Sequence, residues 1–149
     1  MKNPKMVKVC VLHKKHITPE VVDDINRLLR RQHSHSLLVD ESFLHDYTTR
    51  SSTVLVTAKR GKKTVGLGTL ICVEPLGHWY GTIHNLIIET DEDITAVGKL
   101  IVETLISNRI GHLEYIEGGA WVQDTCLLQI FNDLDFKDRP KSRFRLKLP

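Results

Sequence analysis

One stretch of the chain, Ile83 to Ile106, holds a side chain able to move a proton and a turn able to hold an anion. The first is His84, set in an apolar, strand-like run. Imidazole titrates near neutrality, so a strand histidine can take a proton from a bound group directly or through one water. The same residue type also serves strands as a hydrogen-bonded structural side chain. The second feature is the junction that follows. There the β-branched Ile83, Ile87 and Ile88 give way, across an acidic turn, to Val97, Leu100, Ile101, Leu105 and Ile106 at helical spacing. A strand feeding straight into a helix leaves the first helical N–H groups unpaired and aimed at the turn, where an anion can bind. Most such junctions bind nothing.

Other reactive side chains are sparse. Cys10, Cys72 and Cys126 are few, odd in number and widely spaced, and read as buried free thiols, with neither a disulfide framework nor a metal cluster. His33 and His35 form a superficial pair with no cysteine or carboxylate at ligand spacing, so no metal is expected.

The elements that position these groups must come from a chain of 149 residues, 41% hydrophobic and 26% charged. That length suffices for one domain burying roughly two-thirds of its unfolded surface. No apolar run approaches the ~18 residues of a membrane span. The first residues, MKNPKMVKVCVLHKKH, lack a signal-peptide core, so a cytoplasmic location is expected. The net charge of +3 allows an anionic ligand without requiring one. Part of the excess sits at Lys59, Arg60, Lys62 and Lys63. The rest is in the C-terminal run, where Arg143, Arg145 and Lys147 alternate with Phe144, Leu146 and Leu148 as in a half-solvated edge strand. No aromatics interleave with the basic face, which argues against nucleic acid.

In order, residues 7–14 read as a strand. Thr18-Pro19-Glu20 starts a helix running to about Arg31, with Val22, Ile25, Leu28 and Leu29 inward. Residues 40–47 form a second helix with Phe43 and Leu44 inward. Residues 53–58 and 64–73 form a hairpin turning at Gly61, and Gly66 and Gly68 suggest a bulge or another backbone close by. Residues 79–89 make the next strand. After the central helix, residues 113–116 and 120–123 compete as the following strand. Residues 124–133 form a short helix, and residues 143–148 a final strand. This order implies an α/β domain with a mixed sheet.

That order and three local matches resemble the GNAT superfamily of acyl-CoA-dependent N-acyltransferases over nearly the whole chain. TVGLGTL is similar to the family's third strand. In GTIHNLIIETDEDITAVGKLIVETLI, Leu86, Ile87 and Ile88 match its strand end, and residues 93–98 fall without a gap on its Arg/Gln-x-x-Gly-x-Gly/Ala phosphate loop. DTCLLQIFNDLDF is similar to its last helix and strand entry. The chain departs from the pattern at Asp93 for a basic or amide residue, Ala96 for glycine, Asp124 for asparagine, Asp135 for glycine and Phe131 for the tyrosine that often serves as general acid.

The resemblance implies a single GNAT-like domain over residues 1–149, a mixed, mostly antiparallel sheet flanked by helices. It implies acetyl-CoA as cosubstrate and direct transfer to a primary amine of a small molecule or protein. The pantetheine arm would lie along Leu86, Ile87 and Ile88. Pyrophosphate would sit on the turn at Ile94, Thr95, Ala96, Val97 and Gly98, with Lys99, Asp124 and Phe131 close by. His84 falls where the family often places a base or a substrate-binding side chain. Trp79, Tyr80, Asn85 and His33, with His35 and Tyr47, would face the acceptor. Expected partners are an amine of open identity and at most a second copy in a homodimer, with neither nucleic acid nor a membrane. The alternative is a GNAT-like binding or regulatory module that has lost catalysis.

Overall fold

A computed structural model describes residues 2–32, 38–119, 124–139 and 143–149. The strands are β1 (Val7–Val11), β2 (Thr53–Arg60), β3 (Lys63–Val73), β4 (Tyr80–Ile88) and β5 (Tyr115–Gly118). The helices are α1 (Pro19–Gln32), α2 (Glu41–Thr49), α3 (Ile94–Ser107) and α4 (Thr125–Asp133). The sheet runs β1-β2-β3-β4-β5, antiparallel except for the parallel β4–β5 pair. It is therefore mixed and mostly antiparallel.

Local chemistry accounts for the elements. At the β2–β3 turn Gly61 takes φ +62°, while Lys62 has no positive φ, the arrangement of a II′ hairpin. The Thr18 hydroxyl accepts from Val21 N–H at 3.3 Å and opens α1, and Asp40 accepts from Phe43 N–H at 2.7 Å to open α2. Two cores sandwich the sheet. Under α3 and α4 lie Val56, Val65, Leu70, Ile83, Leu86, Ile88, Ile101 and Ile130; under α1 and α2 lie Leu55, Leu67 and Ile87. Gly68 lets α3 sit close, since a Cβ there would be 2.7 Å from Ile101 Cγ2. The close neighbours at Gly66 and Gly68 include side chains of α3, with the Ile87 carbonyl 3.3 Å from a Cβ built at Gly66.

Several expectations change. On α1 the buried positions include Val21, while Val22 and Leu29 are only partly covered. Phe43 points outward, 43% exposed, stacked on Tyr47 beneath the Arg50 guanidinium. Cys72 is buried, but Cys10 is exposed and Cys126 half-buried, and all three are free. Residues 143–149 form no strand: Phe144, Leu146 and Leu148 are 95%, 83% and 75% exposed. Alternation says which face would be buried if an edge were offered, and it supplies no edge. Of the two competing segments, residues 115–118 form β5; residues 120–123 lie outside the described residues, as do His33 and His35.

Candidate active site

The pairing of β3 with β4 runs Gly66↔Ile88 and Leu67↔Ile87, then resumes at Thr69↔His84. Asn85 and Leu86 thus oppose the single residue Gly68, which makes a bulge in β4. Asn85 has φ +52°, a region that asparagine enters at less cost than most residues. The extra residue switches faces. Ile83, Leu86 and Ile88 all enter the core under α3, so His84, adjacent to Ile83, lies on the opposite, α1/α2 face with Thr82. Strict alternation would have grouped His84 with Leu86 and Ile88.

His84 is exposed, and its Nε2 lies 2.9 Å from Thr82 Oγ1. With Thr82 accepting from Nε2–H, Nδ1 carries the lone pair. Thr69 Oγ1 donates to the His84 carbonyl at 2.9 Å, steadying the strand behind the ring. Tyr47 of α2 approaches Thr69, and burial raises its phenol pKa. The Asn85 amide faces Gln32 Oε1 of α1 at 3.5 Å.

Beside this face the sheet opens. β5 pairs with β4 only from Tyr80 to Ile83, so from His84 onward the outer edge of β4 meets no strand among the described residues. Glu89 N–H donates to the Val65 carbonyl at 2.8 Å, which turns the neighbouring Ile88 amide the other way, toward that open edge. The Ile88 carbonyl, pointing the same way, accepts from Arg31 Nη1 at 3.1 Å. The side chains of Leu86, Ile87 and Ile88 are buried, so a ligand there meets backbone.

The acidic turn is neutralised one carboxylate at a time. Glu89 is held by Arg27 at 2.8 Å and Arg31 at 3.2 Å. Asp91 pairs with Lys2 at 2.8 Å. Glu92 is buried and takes both prongs of the Arg60 guanidinium, at 3.0 and 2.7 Å. Those hydrogen bonds, with the charges of Arg60 and Lys2, hold its carboxyl below the ordinary value of 4.5 despite burial. A depressed carboxylate contributes stability that is full above its unfolded pKa and is lost as pH falls through the folded one. Urea midpoints should therefore fall as pH drops below 4.5, and Glu92→Gln should flatten that part of the profile while costing up to about 3 kcal/mol at pH 7.

Asp93 is the N-cap of α3. Its Oδ1 accepts from Ala96 N–H at 3.1 Å, and its carbonyl from Val97 N–H at 2.9 Å. The amides of Ile94 and Thr95 remain without an intrahelical partner. Lys99 reaches Asp133 Oδ2 at 2.9 Å and ties α3 to α4. Gly98 has a packing reason to be glycine: a Cβ there would be 2.3 Å from Ile130 Cδ1 and 3.2 Å from its Cγ1. Asp124 caps α4 by accepting from Leu127 N–H at 3.0 Å. The Phe131 ring covers Gly118 at the end of β5 and packs on Phe136, 5.0 Å between centroids. Tyr80 sits at the start of β4, four residues from His84, with Trp79 just before it. The structure thus brings His84, Asn85, Leu86, Ile87 and Ile88 to one opening, with the α3 turn next along the chain.

No protein-family model and no curated protein sequence matches the chain. Solved structures do. An aminoglycoside acetyltransferase from an uncultured soil metagenomic sample, in complex with sisomicin, is 15% identical with a TM-score of 0.76, covering 97% of this chain and 98% of that one. This is the GNAT fold. Glucosamine-6-phosphate N-acetyltransferase from Arabidopsis thaliana is similar at 13% identity and TM-score 0.70, over 96% and 99% of the two chains. AAC(6')-Iy, in complex with the bisubstrate analogue CoA-S-monomethyl-acetylneamine, is similar at 11% identity and TM-score 0.72, over 96% and 99%.

Within that GNAT fold, the residues present fit a CoA arm at the β4 edge, where an outward amide at Ile88 meets no strand among the described residues. The turn keeps two amides for an anion and has a third occupied by Asp93. Sequence reasoning missed Thr82 and Arg31. The signal for each was spacing: Thr82 is two residues before His84 on a strand, and Arg31 is one helical turn after Arg27.

Proposed function

We propose that the protein is an acetyl-CoA-dependent N-acetyltransferase, with direct transfer of the acetyl group to a primary amine in a ternary complex. The observation that carries this reading is the exposed His84 beside the unpaired edge of β4, at the bulge. Acetyl-CoA, when bound, supplies a thioester carbonyl open to attack by a neutral amine. The Ile88 N–H is oriented to donate a hydrogen bond at that edge, where negative charge grows on a carbonyl oxygen. Nδ1 of His84 takes the amine proton, directly or through one water, and Thr82 holds the ring for it. Ile94 and Thr95 offer amides to the pyrophosphate. Phe131 carries no proton, so water returns one to the departing thiolate; the ring helps to close the apolar side of the opening.

A second reading, a GNAT-like binding module without turnover, draws on one observation: the Asp93 carboxylate already occupies an amide of the turn. A thiol-release assay with acetyl-CoA and a panel of primary amines separates the two. Amine-dependent release of free thiol is expected. Acetyl-CoA that neither binds nor turns over at high micromolar concentration would reject the transferase.

A further inference from the structure

On the α1/α2 face of the sheet, Tyr80, Thr82 and His84 of β4 run beside Tyr115 and Glu117 of β5, in the register Tyr80↔Tyr115 and Thr82↔Glu117. The alternate residues Gly81, Ile83, Ile116 and Gly118 turn to the other side, toward Leu70, Leu113 and Phe131. The Tyr80 and Tyr115 rings stack at 5.2 Å and 11°, and the His78 ring lies beside both, 5.9 Å from Tyr80 and 6.3 Å from Tyr115. Both tyrosines and Glu117 are half-exposed. α1 and α2 pack over Leu55, Leu67 and Ile87 higher on the sheet, which leaves this strip uncovered among the described residues.

Glu117 is a carboxylate in mid-strand, and among the described residues no cation lies within ion-pair distance of it. Glu114 approaches His78 at 4.0 Å. Burial and the neighbouring Glu117 charge push the Tyr115 phenol pKa up, with Arg139 opposing. A carboxylate with no ion pair among the described residues, two residues along the strands from a tyrosine pair, is an environment for an ammonium ion, which gains from both the charge and the ring quadrupoles. The position matters as much as the chemistry. Glu117 stands opposite Thr82, about 7 Å along the strand from His84, and the Tyr80–Tyr115 stack begins about 13 Å away, at 3.3 Å per residue.

We propose, building on the transferase reading, that the acceptor is an aliphatic diamine. Its reacting nitrogen lies at His84, and its second, charged nitrogen is held by Glu117 over the Tyr80–Tyr115 stack. The span corresponds to roughly 7–13 Å between nitrogens. The charged end stays protonated while the reacting end loses its proton to His84, so one molecule meets both demands of the strip.

The test compares hexylamine with 1,6-diaminohexane on the full chain, in the wild type and in Glu117→Gln, by calorimetric titration and by thiol release with acetyl-CoA. The diamine should bind at least 10-fold more tightly than the monoamine. Glu117→Gln should erase that preference through KM, with kcat and the monoamine constants unchanged. Tyr115→Leu should weaken diamine binding several-fold with Glu117 intact. Equal affinity of the wild type for the two amines, or an equal loss of both in Glu117→Gln, would overturn the proposal. Selective diamine binding without turnover would keep the site and reject the transferase. Turnover of both amines without selectivity would do the reverse.

Discussion

His84→Ala lowers kcat by 10²-fold or more and leaves acetyl-CoA affinity unchanged. A lysine-like amine at pH 7 must give up a proton at a cost of roughly 4 to 5 kcal/mol before it can attack, and a positioned base typically supplies ~10²–10⁴-fold. His84 is placed for this role on three counts. Its ring is exposed on the face opposite α3, it is held by Thr82 Oγ1 at 2.9 Å, and the bulge sets it beside the open edge. It takes no part in the backbone contacts offered to the CoA arm, so binding should survive its removal. Thr82→Val, which frees the ring but keeps the base, should fall between wild type and His84→Ala. Steady-state kinetics with calorimetric acetyl-CoA titration reads both quantities, and undiminished turnover in His84→Ala would remove it as the base.

Asp93→Asn tightens acetyl-CoA binding by about 10-fold at low salt, and the gain shrinks as salt is raised. The Asp93 carboxylate caps α3 at Ala96 N–H, within two residues of the free amides of Ile94 and Thr95. A phosphate charge on those amides would lie ~5 Å from it, and two unit charges at that distance cost about 3 kcal/mol at an effective dielectric of 20. Solvent and salt screen part of this, leaving about 1.4 kcal/mol, or tenfold in affinity. Asparagine keeps an oxygen for the Ala96 N–H, so α3 retains its cap and the variant should melt near the wild type. Weaker binding in Asp93→Asn would mean that the carboxylate faces away from the ligand. The other acids of the turn give no such gain, because Arg27, Arg31, Lys2 and Arg60 already neutralise Glu89, Asp91 and Glu92.

Much of the fold could be read from local chemistry. Thr18-Pro19, Asp40 and the Gly61 turn specify their elements through hydrogen bonds to near neighbours, and near neighbours are visible in a sequence. What escaped depends on distant partners. The face of His84 turns on an inserted residue opposite Gly68, which parity counting cannot register, although Asn85 is a residue type suited to the left-handed backbone of such a bulge. Gly98 matched a phosphate-loop position, yet it meets Ile130 of α4, 32 positions along the chain. Glu92 belongs by sequence to the acidic turn, and the partner that buries it, Arg60 of β2, lies 32 positions away. The C-terminal alternation described a strand, but residues 143–149 join no edge of the sheet.

Amide hydrogen exchange, read residue by residue with and without acetyl-CoA, reports whether an acyl-CoA arm lies along the open edge of β4. Addition of acetyl-CoA should slow exchange at Ile88 and at Ile94 and Thr95, with little change at Glu89, whose N–H is already bonded to Val65. Unchanged exchange at all three amides under saturating acetyl-CoA would contradict that placement.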